Sequence, residues 1–211
     1  MVSPVCSDHH NLLEPTHSLL QKLASHSQPA LWHTQNVARK TRAFLTYLHT
    51  EPENALLITL AALLHDIGLL RVDAGILNKP MAIEPYEEVL FQAHPTHGEA
   101  ILKEMGLFPQ EIGMMIAQHH EQMDGSGYPR RVPCEQLLYG SHIIHLCDTF
   151  VSLQEETIRQ KGRTPEEAWQ HMSENAHLFH PELFQAFDRF IHRLDHLPVL
   201  THPSFLLGAQ L

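Results

Sequence analysis

The chain has 211 residues and a formal net charge of −10, with 14 basic residues against 24 acidic ones. Its length suits one domain, and its acidity disfavours binding to a nucleic-acid polymer or an anionic membrane surface, because phosphate contacts need basic side chains. Three widely spaced cysteines without a Cys-x-x-Cys pair argue against a disulfide framework and against a zinc knuckle. We expect no apolar run long enough to cross a bilayer and no secretory signal in Met1 to His10, and therefore a cytoplasmic protein.

Helical patterns follow one another along the chain, without the alternation typical of strands. We predict a short helical extension over 1–28, a domain over 29–195 and a tail over 196–211. A capping box of Thr164 and Glu167 predicts the start of one helix, and residues 69–80 are predicted to form a loop. The other predicted helices are 14–24, 30–50, 53–64, 85–94, 98–105, 110–118, 134–158 and 181–194. Helix 53–64 is apolar nearly all round, which predicts the buried central element.

His65 and Asp66 stand side by side where this central helix gives way to Gly68. Neutral imidazole and ionised carboxylate both ligate first-row metals, and the glycine frees the backbone so that the two side chains can converge on one ion. With 19 histidines in the chain, such a pair also arises by chance. The pair gains meaning only from partners elsewhere in the sequence.

Other histidines supply these partners at predicted helix ends. His94 precedes Pro95, which is expected to end a helix. His119 and His120 are neighbours, and neighbours diverge by about 100° within a helix, so they share a site only where the helix ends. The turn that follows them provides this end.

In this order the motifs resemble the HD-GYP family, the helical metal-dependent phosphodiesterases that hydrolyse cyclic di-GMP. The resemblance runs from about Trp32 to Phe187. It rests on His33, His65-Asp66-Ile67-Gly68, Ile76-Leu77-Asn78-Lys79-Pro80, His94-Pro95 with Gly98, His119-His120-Glu121, Asp124-Gly125-Ser126-Gly127-Tyr128-Pro129 and Asp148. It implies an all-α fold, an HD-domain helical bundle with the metal site at its centre.

The resemblance also implies two divalent metals. One ion would be held by His33, His65 and Asp148. The other would be held by His94, His119 and His120, with Asp66 bridging the two. These ligands suit iron or manganese and also accept zinc, cobalt or nickel. A third metal, which some family members hold with a glutamate, is not expected because Pro29 occupies that position.

The substrate side departs from the family pattern. Leu69 stands where the family usually has a proton-donating lysine, and Thr157 stands where it usually has an arginine. Lys79 or a metal-bound water is a candidate replacement donor. The candidate substrate-binding residues are Lys79, Arg159 and Lys161, although the last two suit solvated loop charges equally well.

The implied function is hydrolysis of a cyclic dinucleotide, foremost cyclic di-GMP, by metal-activated water, with His65 and Asp66 as catalytic residues. One alternative is a metal-binding regulatory module with weak or no turnover. The family links its Gly-Tyr-Pro turn to diguanylate cyclase (GGDEF) domains, so the predicted partner-binding residues are Gly125, Gly127, Tyr128 and Pro129. A homodimer is compatible with both readings. Another alternative is an oxygen-activating di-iron enzyme.

Overall fold

The computed structural model describes residues 12–157 and 160–194, and over these residues it consists of helices, turns and loops without a β-strand. The all-α prediction is confirmed. The α-helices are α1 (Leu13–His26), α2 (Gln28–Tyr47), α3 (Pro52–Leu64), α4 (Ala74–Leu77), α5 (Pro85–Phe91), α6 (His94–Met105), α7 (Gln110–Gln118), α8 (Tyr139–Gln154), α9 (Pro165–Glu174) and α10 (Pro181–Leu194).

α3 is the central helix, as its apolar sequence predicts. It packs against α2, α7 and α8 and buries Ile58 and Leu64. With the 3₁₀ turn that follows, it forms a 20-residue stretch, Pro52–Arg71, in which an 18-residue segment has a mean hydropathy of 1.5 and would be able to span a membrane by length and composition. The expectation that no such stretch exists is therefore wrong. Half of this segment is buried inside the bundle, where the helix packs against several neighbouring helices.

An aromatic cluster joins the helices that carry the predicted site. Phe44 of α2 and Phe187 of α10 meet edge to face with ring centroids 5.0 Å apart, and Phe150 of α8 lies 5.3 Å from Phe187. All three rings are almost completely buried. Buried aromatic pairs of this geometry add to the stabilisation that burial provides, so α2 and α8 are held together beside α10.

The N-terminal helix α1 packs against α2 and buries Leu19 and Leu23 in the same hydrophobic core. The predicted boundary between 1–28 and the following domain stays a prediction. The predicted tail, 196–211, lies outside the described residues.

Helix ends with strong local signals match the sequence predictions. α7 and α10 have the predicted bounds. The capping box before α9 is present: the Thr164 hydroxyl accepts from the backbone N–H of Glu167 at 3.2 Å, and the Glu167 carboxylate accepts from the backbone N–H of Thr164 at 2.9 Å. The two bonds satisfy backbone donors that lack a partner within the helix.

Other helix ends differ from the predictions. α5 ends at Phe91, and His94 begins α6 instead of ending a helix, because a proline is compatible with a first helical turn. The predicted loop 69–80 contains the one-turn helix α4 and the end of a 3₁₀ turn. The helix predicted from Cys134 starts only at Tyr139, where the side chain of Gln118 accepts the backbone N–H of Leu138 at 2.9 Å.

Candidate metal centre

Seven imidazole and carboxylate side chains meet where α2, α3, α6, α7 and α8 come together. They are the predicted ligands His33, His65, Asp66, His94, His119, His120 and Asp148. Asp66 lies among the rings, with Oδ1 3.2 Å from Nε2 of His94 and Oδ2 3.5 Å from Nε2 of His65. Asp148 belongs to α8 and reaches the same cluster, where its Oδ1 lies 3.0 Å from Nε2 of His33.

Within this cluster, three overlapping sets of side chains place their ligand atoms within 4.8 Å of one another. The sets are His94 with His119 and His120, His33 with His65 and Asp66, and His65 with His119 and Asp148. Each set is compact enough to hold one ion. The overlap places the sets side by side in one continuous centre, and the division of ligands between two ions stays a prediction.

Gly68 allows α6 to approach the His-Asp turn closely. A Cβ atom at Gly68 would lie 1.9 Å from the carbonyl oxygen of His94 and 2.5 Å from the backbone nitrogen of Gly98. Both atoms belong to the backbone and cannot rotate away, so only glycine fits here. This contact explains how His94 comes within reach of Asp66.

Three of the histidines have the same orientation. In each of them Nδ1 bonds to the backbone carbonyl three residues earlier, at 2.7 Å for His65, 2.8 Å for His94 and 2.6 Å for His119. A carbonyl only accepts, so Nδ1 carries the proton and donates it. The lone pair of a neutral ring is then on Nε2, and this is how second-shell bonds orient metal-ligating histidines.

Among the described residues, no hydrogen-bond donor faces the Nε2 lone pairs of these three neutral rings. Nε2 of His65 is buried without a hydrogen-bond partner. Nε2 of His94 and Nε2 of His119 face each other at 3.2 Å, and in neutral rings both atoms would present lone pairs. A cation shared by these atoms would relieve the repulsion. The arrangement, with carboxylates beside it, therefore suits a first-row divalent metal.

The ionisation of the cluster also suits a metal. Burial opposes ionisation of Asp66 and Asp148, but the surrounding histidines outweigh it and hold both pKa values well below their usual range. Burial and neighbouring histidines lower the pKa of His119 well below its usual range, while burial lowers that of His120 to about 3 against the opposing effect of Asp148. Ionised carboxylates and neutral imidazoles are the forms that bind metals.

His33 has a different outer partner, which the sequence did not reveal. Its Nδ1 donates to Oε2 of Glu155 at 2.7 Å, and Oε1 of Glu155 accepts from the side-chain amide of Asn36 at 2.6 Å. Burial lowers the pKa of His33, but hydrogen bonds to Asp148 and Glu155 raise it well above its usual value. No local pattern indicated this contact, because Glu155 and His33 are 122 positions apart.

The turn at 125–129 packs against the metal centre through Tyr128. The ring of Tyr128 stacks on the ring of His120 with centroids 4.6 Å apart, and Gly127 is buried. A Cβ atom at Gly127 would lie 2.5 Å from the carbonyl oxygen of His120. The more exposed side chains of this region are Asp124 and Ser126. The role of Gly125, Gly127, Tyr128 and Pro129 in binding a partner stays a prediction.

The predicted substrate-binding residues are less clearly placed. Lys79 is held by Glu87, with Nζ 2.6 Å from Oε2. Lys161 is exposed in the loop before α9, and Arg159 lies outside the described residues. Leu69, in the position of the family's lysine, is only 5% exposed and packs in the core.

Comparison with known proteins places this geometry in a wider group. The HD-domain family matches residues 18–183. The chain is 33% identical over 174 residues to a 3′3′-cGAMP-specific phosphodiesterase of Vibrio cholerae, covering 82% of this chain and 38% of that protein. It is 32% identical over 168 residues to a cyclic di-GMP phosphodiesterase of Pseudomonas aeruginosa, covering 72% and 40%. The chain thus spans about two fifths of the length of these relatives.

Solved structures share the fold at low sequence identity. An HD-GYP-type protein of Bdellovibrio bacteriovorus superposes with a TM-score of 0.63 at 22% identity, covering 76% of this chain and 51% of that one. The HD domain of an L. monocytogenes phosphodiesterase superposes with a TM-score of 0.61 at 17% identity, covering 85% and 98%. A structure of that domain with cyclic-di-AMP gives a TM-score of 0.57 at 16% identity, covering 92% and 99%.

Proposed function

The chain belongs to the HD-domain family, and from this premise we propose that it is a metal-dependent phosphodiesterase that hydrolyses a cyclic dinucleotide. The observation that carries the proposal is the convergence of the predicted ligands, in which three histidines direct Nε2 atoms inward from Nδ1 atoms bonded to backbone carbonyls. This orientation is the one that metal-ligating histidines adopt, and a divalent metal centre is what the phosphodiesterase reaction requires.

Two divalent cations are proposed for the centre, with iron or manganese as the preferred metals. His33, His65 and Asp148 would hold one, His94, His119 and His120 the other, and Asp66 both. Bound there, such cations supply a hydroxide nucleophile at neutral pH and neutralise charge on the phosphate. Their charge would also offset the net charge of −10, which otherwise repels a phosphodiester.

The protein's own residues keep the centre in its reactive form. The backbone carbonyls hold His65, His94 and His119 in one tautomer. Burial keeps the rings of His119 and His120 neutral, since it lowers the pKa of both. Tyr128 covers the ring of His120 on one side. These features position the ligands before substrate arrives, which is the main protein contribution to metal-assisted hydrolysis.

Cyclic dinucleotides are the proposed substrate class, with cyclic di-GMP to be tested first. The relatives named above act on cyclic di-GMP or on 3′3′-cGAMP. Contacts with diguanylate cyclase domains are a secondary proposal, which rests on the resemblance of the turn containing Gly125, Gly127, Tyr128 and Pro129. Asp124 and Ser126 are the exposed side chains of this region.

A regulatory module with little turnover is the second candidate, and one observation favours it. The position of the family's proton-donating lysine holds the buried side chain of Leu69, which cannot protonate the leaving oxygen. A missing general acid lowers a rate by roughly 10² to 10⁴. The two candidates differ in turnover and agree in metal binding.

The decisive experiment is hydrolysis by purified protein reconstituted without oxygen with Mn²⁺ or Fe²⁺. Cyclic di-GMP, 3′3′-cGAMP and cyclic di-AMP are incubated separately, and linear dinucleotides and mononucleotides are separated by chromatography. We expect turnover of at least one substrate, its loss on metal removal, and its loss in Asp66→Ala. The control is Asp188→Ala, which removes a half-exposed carboxylate on α10. Two bound metals without turnover of any substrate would favour the regulatory candidate.

A further inference from the structure

We infer that Glu155 is a positioning residue of the metal centre, which fixes the ring of His33 through a carboxylate–imidazole hydrogen bond. The inference rests on the proposed metal-dependent function and deepens it. Glu155 follows the last residue of α8, the helix that carries Asp148, while His33 belongs to α2. The contact therefore links two helices that each contribute a predicted ligand.

The geometry holds the Glu155 carboxylate at both oxygens. Oε2 accepts from Nδ1 of His33 at 2.7 Å, and Oε1 accepts from the side-chain amide of Asn36 at 2.6 Å. His33 and Asn36 lie three residues apart and share a face of α2. Because each oxygen has its own partner on the same helix, the carboxylate cannot rotate without breaking a bond.

The hydrogen bond to Glu155 engages Nδ1 of His33 and so leaves Nε2 as the nitrogen that faces the centre. With Nδ1 donating to Glu155, Nε2 is directed towards Asp148 Oδ1 at 3.0 Å and towards Asp66 Oδ2 at 3.8 Å. A carboxylate partner also makes the imidazole a stronger electron donor than a neutral partner does.

His33 differs in this respect from His65, His94 and His119. Those three rings donate Nδ1–H to backbone carbonyls, which a substitution cannot remove. His33 relies on a side chain. A substitution of Glu155 can therefore remove the hydrogen bond that orients His33. Of the predicted ligands, His33 is the one to which Glu155 hydrogen-bonds. Loss of the Glu155 carboxylate should weaken binding of the ion that His33 would hold. Binding of the ion that His94, His119 and His120 would hold should not change.

The test measures metal affinity in the full chain, with Mn²⁺ as the probe. Metal-free wild type, Glu155→Gln and Glu155→Ala are titrated with Mn²⁺ against a competing chelator, and bound metal is counted by elemental analysis. In Glu155→Ala we expect about 10- to 100-fold weaker binding of one of two ions and unchanged binding of the other. Glu155→Gln keeps an acceptor oxygen but loses the charge, so it should lie between Glu155→Ala and wild type.

Two controls separate positioning from folding. Glu156→Gln changes the adjacent, exposed carboxylate and should bind both ions as the wild type does. Asn36→Ala releases Oε1 of Glu155 and should reproduce a smaller part of the loss. Circular dichroism and thermal unfolding without metal show whether each variant folds.

The outcomes overturn or support the inference separately from the proposed function. Unchanged affinity for both ions in Glu155→Ala overturns it, and so does equal weakening of both ions together with a loss of helical signal. A wild type that binds no Mn²⁺ overturns both the inference and the proposed function. Selective weakening of one ion supports the inference even if no cyclic dinucleotide is hydrolysed, and in that case only the phosphodiesterase proposal fails.

Discussion

The carboxylate of Glu121 accepts a hydrogen bond of 2.7 Å from the backbone N–H of Arg130. It also accepts hydrogen bonds from the backbone N–H groups of Arg131 at 3.1 Å and Val132 at 3.3 Å. The Glu121 residue is only 2% exposed. One buried side chain thus satisfies consecutive backbone donors. Since Glu121 directly follows His120, these bonds fix the segment after Tyr128 to the end of α7, beside the metal centre.

Replacing Glu121 by alanine should destabilise the protein. The substitution leaves three partly buried N–H groups without their acceptor, and hydrogen bonds to a charged group contribute about 1.5 to 3 kcal/mol each. With partial access of water, we expect a loss of about 3 kcal/mol in the free energy of unfolding, measured by urea denaturation of the metal-free protein. Glu111→Ala, an exposed site in the first turn of α7, is the matched control. A loss no larger than that of the control would contradict this account of the turn.

Gly68→Ala tests the close approach of α6 to the His-Asp turn. The added Cβ would meet the His94 carbonyl oxygen at 1.9 Å, so the start of α6 must move. Overpacking of this kind costs about 1 to 3 kcal/mol or more, and we also expect weaker Mn²⁺ binding because His94 is displaced. The control is Gly113→Ala in α7, where the nearest atom to the new Cβ would be 3.6 Å away. There we expect unchanged or slightly higher stability, since alanine favours helix. Equal effects of both substitutions would argue against the contact.

Leu69→Lys tests whether a missing proton donor limits turnover. We expect a rise of roughly 10² in kcat with cyclic di-GMP, the lower end of what general acid catalysis contributes. Because Leu69 is 5% exposed, the lysine must extend its amine out of the core, and thermal stability should fall. Leu69→Met, which keeps the volume without a donor, is the control and should not raise kcat. Equal rates for both variants would show that proton donation is not limiting.

The stability of the metal-free protein should decrease as the pH falls below about 6.5, the ordinary pKa of histidine. Burial lowers the pKa of His120 to about 3 and that of His142 to about 4. Between these values and 6.5 the unfolded chain binds more protons than the folded one, so unfolding becomes easier at lower pH. His33, whose pKa is raised, acts in the opposite sense, because its contribution is present below 6.5 and is lost as the pH rises through its folded value.

His120→Gln should flatten this pH dependence. Each histidine that must lose its proton on folding contributes about 1.4 kcal/mol per pH unit, and we expect the slope between pH 6 and pH 4 to fall by about that amount. The measurement is urea denaturation at several pH values with chelator present. His171→Gln, on the exposed side of α9, is the control. A slope unchanged by His120→Gln would mean that this ring is not kept neutral by its surroundings.

Helix ends that depend on nearby residues were predictable from the sequence, and those that depend on packing between helices were not. The bounds of α7 and α10 and the capping box at Thr164 and Glu167 are predictable, because periodicity, prolines and caps act within one or two helical turns. The start of α6 at His94 is not, because Pro95 is compatible with either a helix end or a first turn. The packing between α6 and the Gly68 turn favours the second.

By itself, the sequence determined the helical class, the apolar central helix and the ligand types, because these depend on composition, periodicity and motif order. The tertiary structure alone decided that Nδ1 of His33 pairs with Glu155 and that Tyr128 turns its ring towards His120. The first contact joins residues 122 positions apart on two helices, and the second is set by how the chain folds back after α7, where the backbone N–H of Tyr128 donates to the carbonyl of His120 at 3.2 Å. The pairing of His33 with Glu155 follows from how α2 packs against α8, and no local rule of spacing or propensity specifies that packing.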